Sequence, residues 1–86
     1  MQVTNDKLFI LAGELKQAQE LAKELDLRRS EWTFLNTPLK LRGIERGRKF
    51  ITTGDWWHLK HYAWIKQQIK AKEMIQVYAE GFSREQ

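Results

Sequence analysis

Two glycines, each followed by a carboxylate, are the residues of this chain with the clearest potential to hold a ligand. Gly13 and Gly54 each end a run of residues that is typical of a buried strand. Backbone amides at such a strand-to-helix turn favour anions. The candidate ligand-binding residues, all at predicted strand ends, are Gly13, Asn36, Thr53 and Gly54.

The residues around the two glycines also argue against a nucleotide site. The sequence contains neither a Gly-x-x-x-x-Gly-Lys-Ser/Thr loop nor a Gly-x-Gly-x-x-Gly fingerprint. Glu14 and Asp55 would stand in the first turns of the following helices, where a carboxylate satisfies the helix dipole and repels phosphate. Capping of the helix starts by these two acids is therefore favoured over ligand binding.

Patterns for catalysis and metal binding are weak. The chain has no cysteine, and its only serines, Ser30 and Ser83, are not adjacent to a histidine. His58 and His61 follow Asp55 at three-residue steps on a predicted helix, but a stable zinc site needs further strong ligands. We expect a non-catalytic protein without a metal or cofactor.

Two tryptophans on the second predicted helix are more informative. If that helix ran unbroken from Asp55 to about Lys72, Trp57 and Trp64 would align on one side, opposite a core-facing sector made of Leu59, Tyr62, Ala63, Ile65 and Ile69. Tryptophan concentrates binding energy at interfaces. The candidate surface for a protein partner or a second copy of the chain consists of Trp57, Lys60, His61, Trp64 and Gln68. The alternative is that the sheet, the tail with Phe82 or the arginine-rich loop covers both tryptophans.

A second candidate surface is the basic segment 40–49. It carries five cations and one acid, in a chain whose formal net charge is +4. Such cations can contact phosphates while an exposed tryptophan stacks on bases. The alternative is an ordinary solvated loop. The candidate nucleic-acid-binding residues are Lys40, Arg42, Arg46, Arg48 and Lys49.

An alternation of predicted strands and helices positions these residues. Apolar, aromatic or β-branched runs predict strands at 8–12, 31–35, 49–53 and 74–78. An amphipathic stripe predicts a first helix over 14–26, and Pro38 between Thr37 and Gly43 indicates a single short helical turn. The second long helix begins at Asp55.

This order predicts an α/β domain of two or three layers. Its β-α-β-β-α-β sequence favours a four-stranded, mostly parallel sheet in the order 2-1-3-4 with two main helices. The alternative pairs the second and third strands antiparallel. In the parallel order the first and third strands are neighbours, so Gly13 and Gly54 meet at the point where open α/β sheets bind ligands.

A family resemblance rests on two features of the sequence. A strand, a glycine and a helix follow one another twice, and Leu41-Arg42-Gly43 precedes the third strand. Residues 8–78 resemble small Rossmann-like or P-loop-like α/β proteins, such as accessory proteins encoded by tailed bacteriophages. The resemblance implies a cytoplasmic binding protein, in the host cytoplasm if the chain is phage-encoded. It transfers no catalytic residue.

Size and composition limit the remaining choices. The 86 residues, 42% of them hydrophobic, suit one domain with an ordered core over about 7–79 and a polar tail at 80–86. No signal-peptide pattern is present and every apolar run is too short to cross a bilayer, so we expect a cytoplasmic protein without a membrane partner. The expected function is a non-catalytic interaction module that binds another macromolecule. The alternatives are a nucleic-acid-binding accessory protein and a small-ligand or nucleotide-binding protein.

Overall fold

The computed structural model describes residues 7–79, over which strands and helices alternate. The strands are β1 (Leu8–Ala12), β2 (Trp32–Phe34), β3 (Lys49–Thr53) and β4 (Ile75–Gln76), and the helices are α1 (Leu15–Glu24) and α2 (Tyr62–Ala71). Three short 3₁₀ helices lie in the connections, at Arg29–Glu31, Pro38–Leu41 and Trp56–His58. The tail predicted at 80–86 lies outside the described residues.

The four strands form one parallel sheet in the order β2-β1-β3-β4. Leu8 lies opposite Trp32 across β1 and β2, Phe9 lies opposite Phe50 across β1 and β3, and Lys49 of β3 lies opposite Ile75 of β4. The predicted fold class and strand order are therefore confirmed. The antiparallel alternative for the second and third strands is wrong.

β1 is the centre of the molecule, and all five of its residues are buried. Because side chains alternate across a strand, Ile10 and Ala12 pack against α1, whereas Phe9 and Leu11 pack on the opposite face with Ile65 of α2. Each face of the sheet thus has its own apolar cluster under one helix. The domain has three layers, with the sheet between α1 and α2.

Both helices end through a residue in the left-handed conformation that is not glycine. Asp26 has φ 58° and Glu73 has φ 51°. In each case the next amide donates back five residues, from Leu27 to the Ala22 carbonyl at 2.8 Å and from Met74 to the Ile69 carbonyl at 3.0 Å. These bonds are those of a Schellman motif, in which an apolar residue after the turn packs back on the fold. The turns aim the chain towards β2 and β4.

The long helix predicted from Asp55 to Lys72 is wrong over its first third. The 3₁₀ helix Trp56–His58 ends at Leu59, whose ψ of 139° is extended, and α2 begins only at Tyr62. The break allows Leu59 to pack into the apolar cluster under α2. Ala63, predicted to face the core, is exposed.

The fourth strand is shorter than predicted. Ile75 and Val77 donate backbone bonds to the Arg48 and Phe50 carbonyls at 2.9 and 2.8 Å, but only Ile75–Gln76 forms a regular strand. β4 is the last strand of the order and therefore an edge of the sheet within the described part of the chain, where Ile75 is exposed.

Candidate functional site

The carboxyl ends of β1 and β3 meet as predicted, but a side chain already occupies their free amides. The Gln17 Oε1 atom accepts hydrogen bonds from the Gly13 amide at 2.9 Å and from the Asp55 amide at 3.2 Å. Gln17 lies in the first turn of α1 and so joins the ends of two neighbouring strands. The amides that could have bound an anion bind this side chain instead.

Both glycines are required by this close approach. A Cβ atom on Gly13 would lie 2.7 Å from the Asp55 carbonyl oxygen, a backbone atom that cannot swing away. A Cβ atom on Gly54 would collide with the Gln17 side-chain amide, and its φ of +62° is left-handed. The glycines allow the two turns and Gln17 to pack together without leaving room for a ligand between them.

The acids after the glycines do not act as predicted. Glu14 precedes α1 and Asp55 precedes the 3₁₀ helix Trp56–His58, but neither side chain makes a capping hydrogen bond. Gln17 is the functional polar residue that the sequence did not reveal, and its spacing of four residues after Gly13 was the only available signal. Asn36 is exposed beyond the end of β2 and Thr53 is half-buried at the end of β3, near the same edge.

The predicted basic surface is divided between the two ends of the sheet. The Lys40 ammonium donates to the Phe34 carbonyl at 2.7 Å, at the carboxyl end of β2. The Arg48 guanidinium donates to the Lys7 carbonyl at 2.9 Å and lies 5.2 Å from the centre of the Phe9 ring, at the amino end of β1. The cations of segment 40–49 therefore do not form a continuous strip.

Structural contacts engage most of this segment. Arg46 pairs with Glu73 at 3.7 Å in an exposed ion pair, which contributes little to stability in water. The Gly47 amide donates to the Lys72 carbonyl at 3.0 Å, and the Lys72 ammonium donates to the Ile44 carbonyl at 3.3 Å. Arg42 and Lys49 are exposed. The segment is thus fastened to the end of α2.

Lys40 lies beside a second cation on the β2 edge. Arg29 lies 4.7 Å from the centre of the Trp32 ring and donates to the Trp32 carbonyl at 3.4 Å. Partial burial of the Lys40 ammonium, and then repulsion by Arg29, lower the pKa of Lys40 below its ordinary value of 10.5. The two cations cover an edge strand that would otherwise offer free backbone groups.

The two tryptophans predicted to bind a partner are exposed. Trp57 retains 53% and Trp64 retains 67% of its accessible surface. Coverage of both tryptophans by the sheet or by the basic segment 40–49 is therefore wrong, whereas the tail with Phe82 lies outside the described residues. Both belong to the α2 layer, although none of the ring contacts in this part of the chain joins them.

Trp57 is held by its aromatic neighbours. Its ring meets Trp56 edge-on at 5.4 Å and His58 at 5.6 Å, and Trp56 meets Tyr62 edge-on at 5.2 Å. Such contacts restrict the rotamer of Trp57 before any partner arrives. An ordered aromatic side chain loses less conformational entropy on binding than a mobile one.

The remaining residues of the predicted surface surround Trp64. Gln68 is one helical turn along α2 from Trp64, which places the two on one stripe, and His61 is the residue immediately before the helix. Lys60 and His61 are exposed, and Gln68 is half-buried. The break removes the continuous helical spacing that was predicted to align the two tryptophans, because Trp57 lies on the 3₁₀ helix and Trp64 on α2, although both rings are exposed.

The segment that carries both tryptophans is rich in lysine, although Asp55 precedes it and Glu73 follows it. Between Trp56 and Lys72 the sequence has four lysines and no acid. In contrast, the segment 14–26 that contains α1 has four acids and two lysines. Because the helices lie on opposite faces of the sheet, the protein has a basic aromatic layer and an acidic layer. We refer to Trp57, Lys60, His61, Trp64 and Gln68 as the tryptophan surface.

The two histidines belong to different segments, so the helical spacing that could have directed them at one metal ion is lost. Among residues 7–79 no group of three or more histidine or acidic side chains is arranged to hold a metal. No helix in the same range has the length and apolar character needed to cross a membrane.

Comparison of the chain with known protein families, with curated proteins and with solved structures finds no match. The class that the structure defines is a small three-layer α/β domain with a parallel sheet ordered 2-1-3-4.

Proposed function

We propose that this protein is a non-catalytic interaction module whose tryptophan surface binds an acidic surface of a partner protein. The observation that carries the proposal is the exposure of Trp57 and Trp64, at 53% and 67%. Exposed tryptophans on a folded domain are unusual because their large apolar surface gains free energy when it leaves water.

The size of this gain supports binding. Tryptophan offers up to about 250 Å² of surface, so covering the exposed part of each ring is worth at most roughly 3 to 4 kcal/mol at about 25 cal/mol per Å². Two such residues fall in the range of interface hot spots, each of which contributes about 2 kcal/mol or more. The ordered Trp57 ring loses little freedom on binding, so more of its contribution is retained.

Charge indicates the chemistry of the partner. The four lysines between Trp56 and Lys72 are not balanced by any acid in that segment. An acidic partner surface would be attracted, whereas a basic one would be repelled. An apolar patch with acidic residues at its rim therefore fits the tryptophan surface best.

The other candidate functions have less support. Gln17 fills the switch point between Gly13 and Gly54, which leaves a nucleotide or other small ligand without its amides. The cations of segment 40–49 are divided between the two ends of the sheet, which disfavours a single track for a nucleic acid. A role as a phage-encoded accessory protein and a cytoplasmic location stay predictions from the sequence.

The proposal is tested by affinity capture from the native cell. Tagged wild-type protein is compared with the double variant Trp57→Ala/Trp64→Ala and with Tyr78→Ala. Tyr78 is a matched control because it is aromatic and 63% exposed but lies beyond β4. We expect the double variant to stay folded, since both rings are exposed, and to lose at least about 100-fold in affinity for the captured protein.

The outcomes separate the alternatives. A protein retained by wild type and Tyr78→Ala but not by the double variant supports the proposal, provided that its binding weakens with salt. Equal retention by all three forms contradicts it. Capture that nuclease abolishes assigns the surface to nucleic acid instead. A wild-type dimer that the double variant converts to monomer in sedimentation assigns it to a second copy of this chain.

A further inference from the structure

A cavity of about 230 Å³ lies between α2 and the sheet, and none of its described lining residues belongs to the tryptophan surface or to the Gln17 bridge. Its apolar wall consists of Leu11 of β1, Phe50 of β3 and Ile69 of α2. Trp56 and Tyr62, whose rings meet edge-on at 5.2 Å, form an aromatic wall. Gln76 of β4 also lines the cavity and is exposed.

The polar groups of this cavity converge from three elements. Thr52 comes from β3, Gln76 from β4 and Lys66 from α2. The Gln76 side-chain amide donates to the Thr52 hydroxyl at 3.4 Å, a long bond that leaves each group able to bond elsewhere. Lys66 lies on the same side of α2 as Tyr62 and Ile69, because they are four residues before and three residues after it.

We propose that this cavity binds a small aromatic monocarboxylate. Its ring would lie between Phe50, Ile69 and the aromatic wall, and its carboxylate would accept from the Lys66 ammonium and the Thr52 hydroxyl. None of the described residues that line the cavity is acidic, so a negative ligand meets no opposing charge there. One lysine with two neutral polar groups suits a single negative charge better than the double charge of a phosphate ester.

The volume of the cavity limits the ligand to one ring with a short acidic side chain. An apolar protein cavity of about 150 Å³ accommodates benzene. A cavity of about 230 Å³ therefore has room for a phenyl ring and an acidic chain of a few atoms. A dinucleotide is far larger than this space.

The test uses hydrocinnamate, a phenyl ring on a short chain ending in a carboxylate, and hydrocinnamide, its neutral amide of nearly the same shape. Backbone amide signals and the Trp56 indole N–H are followed by NMR while each compound is added to the full chain up to about 10 mM, well above a millimolar dissociation constant. We expect saturable shifts at Phe50, Thr52, Trp56 and Gln76 with hydrocinnamate, and affinity for the amide lower by about tenfold.

Substitutions on α2 identify the role of the charge. Lys66→Gln should weaken hydrocinnamate about tenfold, as expected for loss of a charged hydrogen bond, and should leave hydrocinnamide unchanged. Lys70→Gln is the matched control, because Lys70 is exposed on the same helix and does not line the cavity. Thr52→Val should weaken the carboxylate by a smaller factor.

Any one of the following results would overturn the inference. These are no saturable shift of the cavity residues with hydrocinnamate, equal affinity for acid and amide, and equal effects of Lys66→Gln and Lys70→Gln. Shifts centred on Trp57 and Trp64 would likewise place the ligand elsewhere. Protein capture by the tryptophan surface is a separate measurement, so either proposal can fail while the other stands.

Discussion

The Gln17 side chain joins the ends of β1 and β3 through two hydrogen bonds, and replacing it should lower the free energy of unfolding measurably. Gln17→Met keeps the length and helix propensity of the side chain but removes the oxygen that accepts from the Gly13 and Asp55 amides. A neutral hydrogen bond contributes about 0.5 to 1.5 kcal/mol net. Gly13 is half-buried and loses its partner, whereas Asp55 is exposed and regains water. The expected loss is therefore about 1 to 2 kcal/mol of unfolding free energy.

The measurement is thermal unfolding followed by circular dichroism, with Gln19→Met as the matched control. Gln19 is exposed on the same helix, so its substitution reports the effect of exchanging glutamine for methionine in α1. For a domain of this size, about 1 kcal/mol corresponds to 4 to 8 °C in Tm. Gln17→Met should thus melt at least about 4 °C below Gln19→Met.

Hydrogen exchange gives an independent reading of the same bond. In Gln17→Met the Gly13 amide should exchange about tenfold faster, since loss of about 1.4 kcal/mol of local protection changes an opening equilibrium by that factor. The Gly47 amide, bonded to the Lys72 carbonyl at 3.0 Å, should be unaffected. Equal melting of the two methionine variants together with unchanged exchange at Gly13 would refute the reasoning.

Three further predictions concern backbone conformation and charge. Gly54→Ala should lower the free energy of unfolding, measured with denaturant, by about 2 to 3 kcal/mol, and Gly43→Ala by only about 1 kcal/mol. Both glycines have a left-handed φ, but of the two only Gly54 has a side chain in the place that a Cβ atom would occupy. Glu73→Gly should stabilise the protein by about 0.5 to 1 kcal/mol in the same assay, since glycine relieves the left-handed strain while the exposed ion pair contributes little. Arg29→Ala should raise the pKa of Lys40 in an NMR titration without restoring 10.5, since burial persists. The folded protein binds the Lys40 proton less tightly than the unfolded chain does, so the free energy of unfolding of the wild type should rise with pH as the pH approaches 10.5. This rise should be smaller in Arg29→Ala, because the pKa of Lys40 is then closer to 10.5.

The sheet was predictable because its signals are local and agree with one another. The run Leu8–Ala12 has no polar residue and ends at a glycine, which suits a strand covered on both faces. Lys49–Thr53 repeats the pattern with β-branched residues. Short connections and right-handed crossovers then leave few possible strand orders. The observed order follows from these rules.

The start of the second helix was not predictable from periodicity. Nothing in the segment 55–61 breaks a helix, since it has neither glycine nor proline. At the break Leu59 has an extended backbone and packs in the cluster with Phe9 and Leu41, a gain in tertiary packing that accompanies the loss of helical hydrogen bonds there. A gain of this kind depends on the neighbouring elements, and sequence spacing alone does not contain it.

The candidate site was predictable in part, for a related reason. Trp57 and Trp64 were identified from their spacing as a candidate surface, but the sequence left open whether another element covers them, and only the structure shows both rings exposed. The bridge made by Gln17 did not follow, because it joins residues 38 positions apart in the chain. Carboxylates beside a helix start are the usual caps, and here an amide from inside the helix takes their place.

The α1 and α2 layers carry net charges of opposite sign, so the protein has an electric dipole. The described residues span 20 Å in their thinnest direction, whereas ionic screening at physiological salt decays over about 8 Å. A partner that approaches the α2 layer therefore senses the lysines there and little of the acids beyond the sheet. Below about 0.01 M salt, screening extends to about 30 Å. The field of a charged partner would then act on both layers and rotate the protein before contact. Association rate rather than dissociation rate should then carry the salt dependence.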